Sequence, residues 1–251
     1  MSNHHRAHDY NRLVQCWRKV ARASGLRMEV FSQSGGFQLF FLEPLRPALN
    51  APAIYFSAGI HGDEAAATEG LLAWAEKNPD ILKHIRPLIF PCLNPWGLVH
   101  NNRLDPQGRD LNRCYGKRKP PQIRDQIRVI GKRRFDLALT LHEDYDAHGV
   151  YIYEVPAKKP YWAEKLLTAA TAHLPADPRA KIEGRSARNG IVRRKISPDL
   201  MPDWPEAFLL HFHHACRTFT IETPSEMDIS RRVAAHVAVL ETAVAECLAT
   251  R

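Results

Sequence analysis

Residues 53–64 read AIYFSAGIHGDE and lead into a segment with helical apolar spacing, Ala65 to Lys77. The apolar run over 53–58 predicts a buried strand, and the following segment predicts a helix. His61 and Glu64 therefore stand where a strand ends and a helix begins. Open α/β sheets bind ligands at this position, beyond the carboxyl ends of the strands. Strand-like and helix-like runs alternate along the whole chain, which predicts an α/β fold.

The pair His61 and Glu64 indicates a metal site. Imidazole and carboxylate are preferred zinc ligands, and a catalytic zinc usually takes three protein ligands and a water. On its own, His-x-x-Glu is also typical of a capped helix start with a surface histidine. The metal hypothesis therefore depends on a third ligand from elsewhere in the chain.

The third ligand candidate is His142. Residues 135–141 predict a buried strand that ends at His142 and Glu143, at the same sheet edge as the first pair. A long separation along the chain is typical of a catalytic zinc site, in contrast to closely spaced structural ligands. His142-Glu143 also begins a near-match to HExxH, but the next histidine, His148, comes too late for that motif, which we reject.

A polar segment between these strands suits substrate binding. Residues 94–103 read NPWGLVHNNR and residues 108–113 read GRDLNR, which predicts an irregular loop near the same edge. Arg103, Asn112 and Arg113 are its candidate functional residues. The planar guanidinium of arginine suits bidentate capture of a carboxylate. The alternative is a structural loop with surface arginines.

A second carboxylate arrives at Glu222, where the strand predicted over 217–221 ends. A zinc ion at the predicted site would polarise a carbonyl and acidify its water. A nearby carboxylate is then needed as general base and as proton donor to the leaving amine, which Glu222 can supply. Arg103 or the zinc would stabilise the oxyanion, and Asn112 with Arg113 would hold a substrate carboxylate.

Composition and charge narrow the class of protein. The chain has 251 residues, 45% hydrophobic and 25% charged, which predicts a single domain over residues 1–251. Its five cysteines are irregularly spaced without CxxC, so we expect reduced thiols in a cytoplasmic protein. The polar segment Met1 to Asn11 lacks the apolar core of a signal peptide, and no apolar run is long enough to cross a bilayer.

The net charge of +8 favours anionic partners. Basic residues cluster at 116–119, 132–134 and 185–195, but none of these segments carries the interleaved aromatic residues of a single-strand-binding surface. We read them as solvated faces and expect small acidic substrates, with no nucleic-acid or membrane partner; the oligomeric state stays open.

The remaining segments follow from local pattern. His211, His213 and His214 lie in a run that predicts a partly exposed strand, with a second metal cluster as the alternative. The other predicted elements are a helix over 9–23, a hairpin of strands 26–32 and 37–42, a loop over 44–52, strands over 88–90 and 150–155, a helix over 161–173, long loops over 174–203, a strand over 208–214 and a helix over 228–248.

Taken together, the motifs resemble the zinc carboxypeptidase family, which includes pancreatic carboxypeptidases, bacterial murein peptide amidases and the succinylglutamate desuccinylase/aspartoacylase branch. The resemblance spans most of residues 53–224. It implies a mixed, mainly parallel eight-stranded sheet between helices. It also implies zinc ligands, an oxyanion-stabilising arginine, a carboxylate-binding pair and a catalytic glutamate. By this resemblance, the zinc ligands are His61, Glu64 and His142, and the oxyanion-stabilising arginine is Arg103. The carboxylate-binding pair is Asn112 and Arg113, and the catalytic glutamate is Glu222.

Two features depart from the family pattern. Glu143 follows the third ligand where the family often has Ser or Thr. The family's carboxypeptidases also place a mobile tyrosine over the substrate, and none of the tyrosines between His142 and Glu222 can be assigned to that role from sequence. They are Tyr145, Tyr151, Tyr153 and Tyr161.

Three functional hypotheses remain. The leading one is a cytoplasmic zinc metallopeptidase that hydrolyses an amide bond near a free carboxylate. Its rival is an N-acyl amino acid deacylase of the desuccinylase/aspartoacylase type. That branch typically carries a C-terminal β-domain, whereas here one helix follows Glu222, which favours the peptidase. The third is a basic nucleic-acid-binding protein with a vestigial fold, which would bind with a steep salt dependence and need no zinc.

Overall fold

The computed structural model describes residues 6–48, 50–116, 119–156, 159–193, 196–200 and 202–250. Residues 1–5 of the polar N-terminus and four basic residues of the predicted solvated faces lie outside the described residues; the four are Lys117, Arg118, Arg194 and Lys195. Among the residues described, no helix combines the length and apolar character needed to span a bilayer.

The described chain alternates helices and strands. The strands are β1 (Leu26–Ser34), β2 (Phe37–Pro44), β3 (Ala53–Ser57), β4 (Arg86–Phe90), β5 (Leu137–Asp144), β6 (Tyr151–Val155), β7 (Lys181–Ile182), β8 (Arg185–Ser186), β9 (Ile191–Arg193) and β10 (Thr218–Pro224). The helices are α1 (Tyr10–Ser24), α2 (Ala65–Lys77), α3 (Pro79–His84), α4 (Pro95–His100), α5 (Pro121–Ile130), α6 (Ala163–Thr171), α7 (Glu206–His213) and α8 (Ile229–Ala249), and short 3-10 turns cover Leu111–Arg113 and Pro198–Leu200.

Within the described residues, eight strands form one mixed sheet in the order β1-β2-β4-β3-β5-β10-β6-β9. The central strands β4, β3, β5 and β10 run parallel to one another, and β6 pairs in parallel with β9. The pairs β1–β2, β2–β4 and β6–β10 are antiparallel. This confirms the predicted mixed, mainly parallel eight-stranded sheet between helices. The carboxyl ends of the four central parallel strands meet at one edge, where polar residues follow them.

Both faces of the sheet are covered, which explains the continuous apolar run of β3. Ile54 and Phe56 face a core formed with α1, α2, α6 and α8, and Tyr55 faces a second core formed with α5 and α7. A strand buried on both faces cannot alternate apolar and polar residues. The same alternation on β5 directs His142 to the side of α5 and α7.

The predicted ends of several elements are confirmed. Asp9 caps α1 by accepting a hydrogen bond from the Arg12 backbone N–H at 2.9 Å, and Gly25 ends it in the left-handed conformation. Asp228 caps α8 in the same way. The predicted hairpin is present, with β1 and β2 antiparallel on either side of Gly35 and Gly36.

Other predictions are wrong. The predicted strand over 208–214 is instead the last part of helix α7, which ends at His213 and is capped by His214. The buried positions Glu206, Leu209 and Leu210 repeat with helical spacing, but a glutamate is not recognised as a buried position from the sequence. Residues 95–100 form helix α4 inside the predicted loop. Helices α3 and α5 have no counterpart in the predicted elements, and the predicted loops over 174–203 contain the short strands β7, β8 and β9.

Candidate metal centre and active-site cleft

The turn that carries His61 packs against a second turn, and a glycine lies on each side of the contact, Gly62 and Gly97. A Cβ on Gly62 would lie 1.9 Å from the backbone carbonyl carbon of Gly97, so no side chain fits there. The Gly62 N–H also donates to the carbonyl of Asn102 at 3.1 Å. This contact joins the HGDE turn to the NPWG turn, and explains why both motifs contain glycine.

Three side chains converge at the sheet edge. His61 Nδ1 lies 2.5 Å from Glu64 Oε1, and His142 Nδ1 lies 2.9 Å from Glu64 Oε2. The ligand atoms of the three residues all lie within 4.8 Å of one another, and each residue is 3% exposed. Within the described residues they are the only such group of histidine, cysteine and acidic side chains. His211, His213 and His214 are not part of a group of this kind.

The electrostatics of the group favour a bound cation. Burial disfavours a charged His61, but the carboxylates of Glu64 and Asp110 outweigh burial and raise its pKa to about 9. Burial likewise raises the pKa of Glu64, but His61 and His142 outweigh it and hold that pKa well below its ordinary value. Two imidazoles and a carboxylate are a donor set that suits zinc. The three residues therefore fit a metal ion.

Glu222 lies next to this group on the neighbouring strand. Its register partner on the parallel strand β5 is His142, and on the antiparallel strand β6 it is Tyr151. Burial raises the pKa of Glu222 well above its ordinary value, although His142 opposes the shift. In the described part of the chain, no side chain hydrogen-bonds its carboxylate. Glu222 is therefore free to exchange a proton with a ligand in the cleft.

Asp110 is a residue of the site to which sequence reasoning assigned no role. Its Oδ1 lies 3.0 Å from His61 Nε2, on the opposite side of the ring from Glu64, and its Oδ2 accepts from Arg103 at 3.2 Å. A carboxylate on the distal nitrogen of a ligating histidine orients the ring. The sequence signal that could have identified Asp110 is its position in the DLNR motif, two residues before the predicted pair Asn112 and Arg113.

Arg103 lies beside the candidate metal centre. Besides Asp110, its guanidinium contacts Glu64 Oε1 at 3.4 Å. The loop that carries it is held by Asn94, whose amide donates to the carbonyl of Leu104 at 3.0 Å and whose oxygen accepts from the Gly97 N–H. Asn94 therefore shapes the loop and caps α4, and is not among the residues that line the cleft.

Asn112 and Arg113 line the same cleft as the metal group. The Asn112 N–H donates to Asp110 Oδ1 at 2.9 Å, and the Arg113 guanidinium donates to the Asn112 carbonyl at 3.0 Å. The cleft has a volume of about 950 Å³. It therefore has room for a small peptide or an acylated amino acid.

The residue after the third ligand has a structural partner. Glu143 is buried; its carboxylate accepts the Ala66 N–H at 2.6 Å and pairs with Arg232 of α8. Burial raises the pKa of Glu143 to about 7, although Arg232 opposes the shift. This glutamate, which departs from the family pattern, ties β5 to α2 and α8.

The tyrosines differ in their freedom to move. Tyr145 lines the cleft with 72% of its surface exposed. Tyr151 donates to Asp144 at 2.9 Å and Tyr153 to Glu183 at 2.7 Å, so both are held in the cleft wall. Tyr161 lies outside the lining, under the Arg193 guanidinium.

Solved structures share this fold. A metallopeptidase candidate from Shewanella amazonensis SB2B is 21% identical with a TM-score of 0.84, covering 94% of this chain and 92% of that one. A metallo-carboxypeptidase from Burkholderia cenocepacia is 16% identical with a TM-score of 0.70, covering 96% of this chain and 69% of that one. One from Pseudomonas aeruginosa, in complex with (2-guanidinoethylmercapto)succinic acid, is 18% identical with a TM-score of 0.66, covering 95% and 69%.

Sequence comparison defines the family. No significant match was found among curated proteins. The model of the succinylglutamate desuccinylase/aspartoacylase catalytic domain matches residues 50–182, more than half of the chain. That span contains His61, Glu64 and His142. The chain therefore belongs to the succinylglutamate desuccinylase/aspartoacylase catalytic-domain family, a hydrolase branch of the zinc carboxypeptidase-like fold.

Proposed function

We propose that this protein is a zinc-dependent metallopeptidase that hydrolyses an amide bond next to a free carboxylate, in the manner of a metallocarboxypeptidase. One observation carries the proposal: a His-Glu-His group shares one cleft with an asparagine–arginine pair and with a glutamate whose carboxylate has no hydrogen-bond partner among the described side chains. The ligand group is His61, Glu64 and His142; the glutamate is Glu222; and the asparagine–arginine pair is Asn112 and Arg113.

The proton chemistry falls to Glu222. A zinc ion held by His61, Glu64 and His142 would supply Lewis-acid chemistry in the cleft. Glu222 accepts a proton from the attacking water and delivers it to the nitrogen of the leaving group. Burial raises the pKa of Glu222, which makes its carboxylate a stronger base for the water proton.

Arg103 and the Asn112–Arg113 pair supply charge and position. Arg103 lies against the ligand Glu64 and can donate to the oxygen that becomes negative when water adds to the carbonyl. Arg113 is exposed on the cleft lining, and among the described residues its guanidinium donates only to the Asn112 carbonyl. Its other donors pair with the carboxylate of the leaving group. Holding that carboxylate sets the scissile bond beside Glu222, which lowers the entropic cost of the reaction.

The second candidate function is hydrolysis of an N-acyl amino acid, and the match to the succinylglutamate desuccinylase/aspartoacylase domain favours it. It requires the same metal ligands, the same general base and the same residues to bind the substrate carboxylate. The two functions differ only in the acyl side of the substrate, which is a peptide in one and a small acyl group in the other.

The test compares matched substrates. Zinc-loaded protein is given dipeptides and N-acetyl or N-succinyl amino acids, each with a free carboxylate or with that group amidated. We expect Arg113→Ala to lower kcat/KM for the free acids by roughly 10- to 100-fold, since a charge-assisted hydrogen bond is lost. The control is Arg185→Ala, which removes another arginine from the cleft lining and should leave the preference for free acids intact.

The outcomes separate the hypotheses. Faster cleavage of peptides supports the peptidase, and faster cleavage of N-acyl amino acids supports the deacylase. If the wild type cleaves amidated and free-acid substrates equally well, the assignment of Asn112 and Arg113 to carboxylate binding is wrong for both functions.

A further inference from the structure

A buried carboxylate lies directly behind the substrate-binding pair. Glu206, the first residue of α7, is 1% exposed. Its Oε1 accepts hydrogen bonds from the Tyr55 hydroxyl at 2.6 Å and the Gln126 amide at 2.7 Å, and its Oε2 accepts from the Ser57 hydroxyl at 2.6 Å. The Tyr115 hydroxyl is a more distant donor at 3.4 Å. Among the described residues no basic side chain pairs with it.

This arrangement is costly if it serves packing alone. A buried carboxylate without a cation is tolerated only when several donors satisfy it, and an apolar side chain of the same size would fill the space at lower cost. The donors come from β3, from α5 and from the segment before α5. Glu206 therefore attaches the start of α7 to the central sheet at a defined position.

The position of α7 matters because its first backbone N–H binds Asn112. The Glu206 N–H donates to Asn112 Oδ1 at 2.9 Å. A backbone N–H can only donate, so the side-chain oxygen of Asn112 must face α7 and its NH2 group must face the other way. In the described part of the chain nothing accepts from that NH2 group, and Asn112 lines the cleft.

We propose that Glu206 is a positioning residue for substrate recognition: its clamped carboxylate fixes the first N–H of α7, and through it the orientation in which the Asn112 amide presents two donors to the substrate carboxylate. The role in catalysis rests on the proposed function. The second support of Asn112 is Asp110, which holds its backbone N–H. Asn112 is therefore held at two points: its backbone N–H by Asp110, and its side-chain oxygen by the first N–H of α7.

The kinetic test is a double-mutant cycle between Glu206→Gln and Asn112→Ala on zinc-loaded protein. For free-acid substrates we expect each single variant to lower kcat/KM roughly tenfold, mainly through KM, because a hydrogen bond to a charged group is weakened or lost. The double variant should be little worse than Asn112→Ala, because the two residues act through one contact. Amidated substrates should change little, and the zinc content should stay at the wild-type level.

A matched control separates positioning from stability. Glu154→Gln changes another glutamate that is 1% exposed but does not line the cleft. It should lower the melting temperature without altering the ratio of free-acid to amidated cleavage. If Glu206→Gln does not fold, Ser57→Ala removes one donor from Oε2 and should give the same pattern with a smaller amplitude.

A spectroscopic measurement needs no substrate. The Asn112 side-chain NH2 signals in a 15N-labelled sample are assigned by their loss in Asn112→Ala. Glu206→Gln should shift or broaden them, and Glu154→Gln should not. Unchanged signals, or fully additive losses in the cycle, would overturn the positioning role. If the signals move but the wild type shows no preference for free acids, the positioning stands and the proposed function fails.

Discussion

The catalytic task proposed for the Glu222 carboxylate depends on the residues around it. On an isolated strand it is an ordinary acid. In the sheet it lies in register with His142, faces the cleft and has no hydrogen-bond partner among the described side chains. Removal from water raises its pKa. These conditions suit a group that both takes and returns a proton.

Replacing Glu222 by glutamine tests that task. We expect Glu222→Gln to keep its fold and its zinc and to lose at least ~10²-fold in kcat, the usual scale of general acid–base catalysis. Steady-state kinetics and metal analysis measure the two effects. Glu226→Gln is the control, because Glu226 lies on the cleft lining and is exposed. Near-normal turnover by Glu222→Gln would remove Glu222 from the mechanism.

At the scale of elements, the packing of α2 on α8 supports the ligand turn, because α2 begins directly after Glu64. Gly70 of α2 lies so close to α8 that an added Cβ would stand 2.5 Å from the Cβ of His236. Glycine is normally unfavourable inside a helix by about 1 kcal/mol relative to alanine. Here the close approach of the two helices requires it.

The Gly70→Ala substitution sets these two effects against each other. Overpacking a core costs about 1–3 kcal/mol, so we expect the loss to exceed the gain in helix propensity and the variant to be less stable overall. Denaturant unfolding measures the difference. Glu76→Ala, at an exposed position of the same helix, should change stability by less than about 0.5 kcal/mol. A Gly70→Ala protein more stable than the wild type would show that the helices can separate freely.

The stability of the whole molecule should depend on the metal. On the proposed function, zinc binds the ligand group of the folded protein, and it should then stabilise the protein by about 2.7 kcal/mol when free zinc exceeds its dissociation constant 100-fold. Thermal unfolding with zinc and after chelation measures this. His61→Ala and His142→Ala should lose both the zinc and the stabilisation. His148→Ala changes an exposed histidine outside the group and should keep them. Full zinc content in both ligand variants would contradict the assignment.

A buried histidine should also shape the pH dependence of folding. His236 is 0% exposed, contacts Thr223 Oγ1 at 3.1 Å, and burial lowers its pKa to about 3, with Arg232 adding to the effect. Below pH ~6.5 the unfolded chain binds a proton at this residue, whereas the folded protein does not until about pH 3. Stability contributed by the neutral ring is therefore lost as the pH falls.

The measurement compares wild type and His236→Gln. Between pH 6 and 4 the free energy of unfolding of the wild type should fall more steeply, by up to ~1.4 kcal/mol per pH unit. The difference between the two proteins isolates this residue from the other histidines. Parallel stability curves would show that His236 is protonated in the fold or that the unfolded chain does not titrate there.

The amino-acid sequence by itself determined the class of fold and the place of the site. Buried strands such as 53–57 and 137–141 are visible as apolar runs, and the residues that follow them, including His61, His142 and Glu222, must meet at one edge of a parallel sheet. These conclusions need only local periodicity and the rule that parallel strands end together. For the same reason the capped helices α1 and α8 were predicted close to their observed ends.

Only the tertiary structure decided which hydrogen-bond and ion-pair partners the polar groups of the site have. Asp110 reaches His61 from 49 residues away, and Glu206 reaches Tyr55 from 151 residues away. Helix α7 was predicted as a strand because a buried glutamate looks like an exposed one until its donors are known. Local spacing reports the neighbours of a residue within one helix or strand, whereas the partner that makes a buried charge tolerable is supplied by another part of the fold.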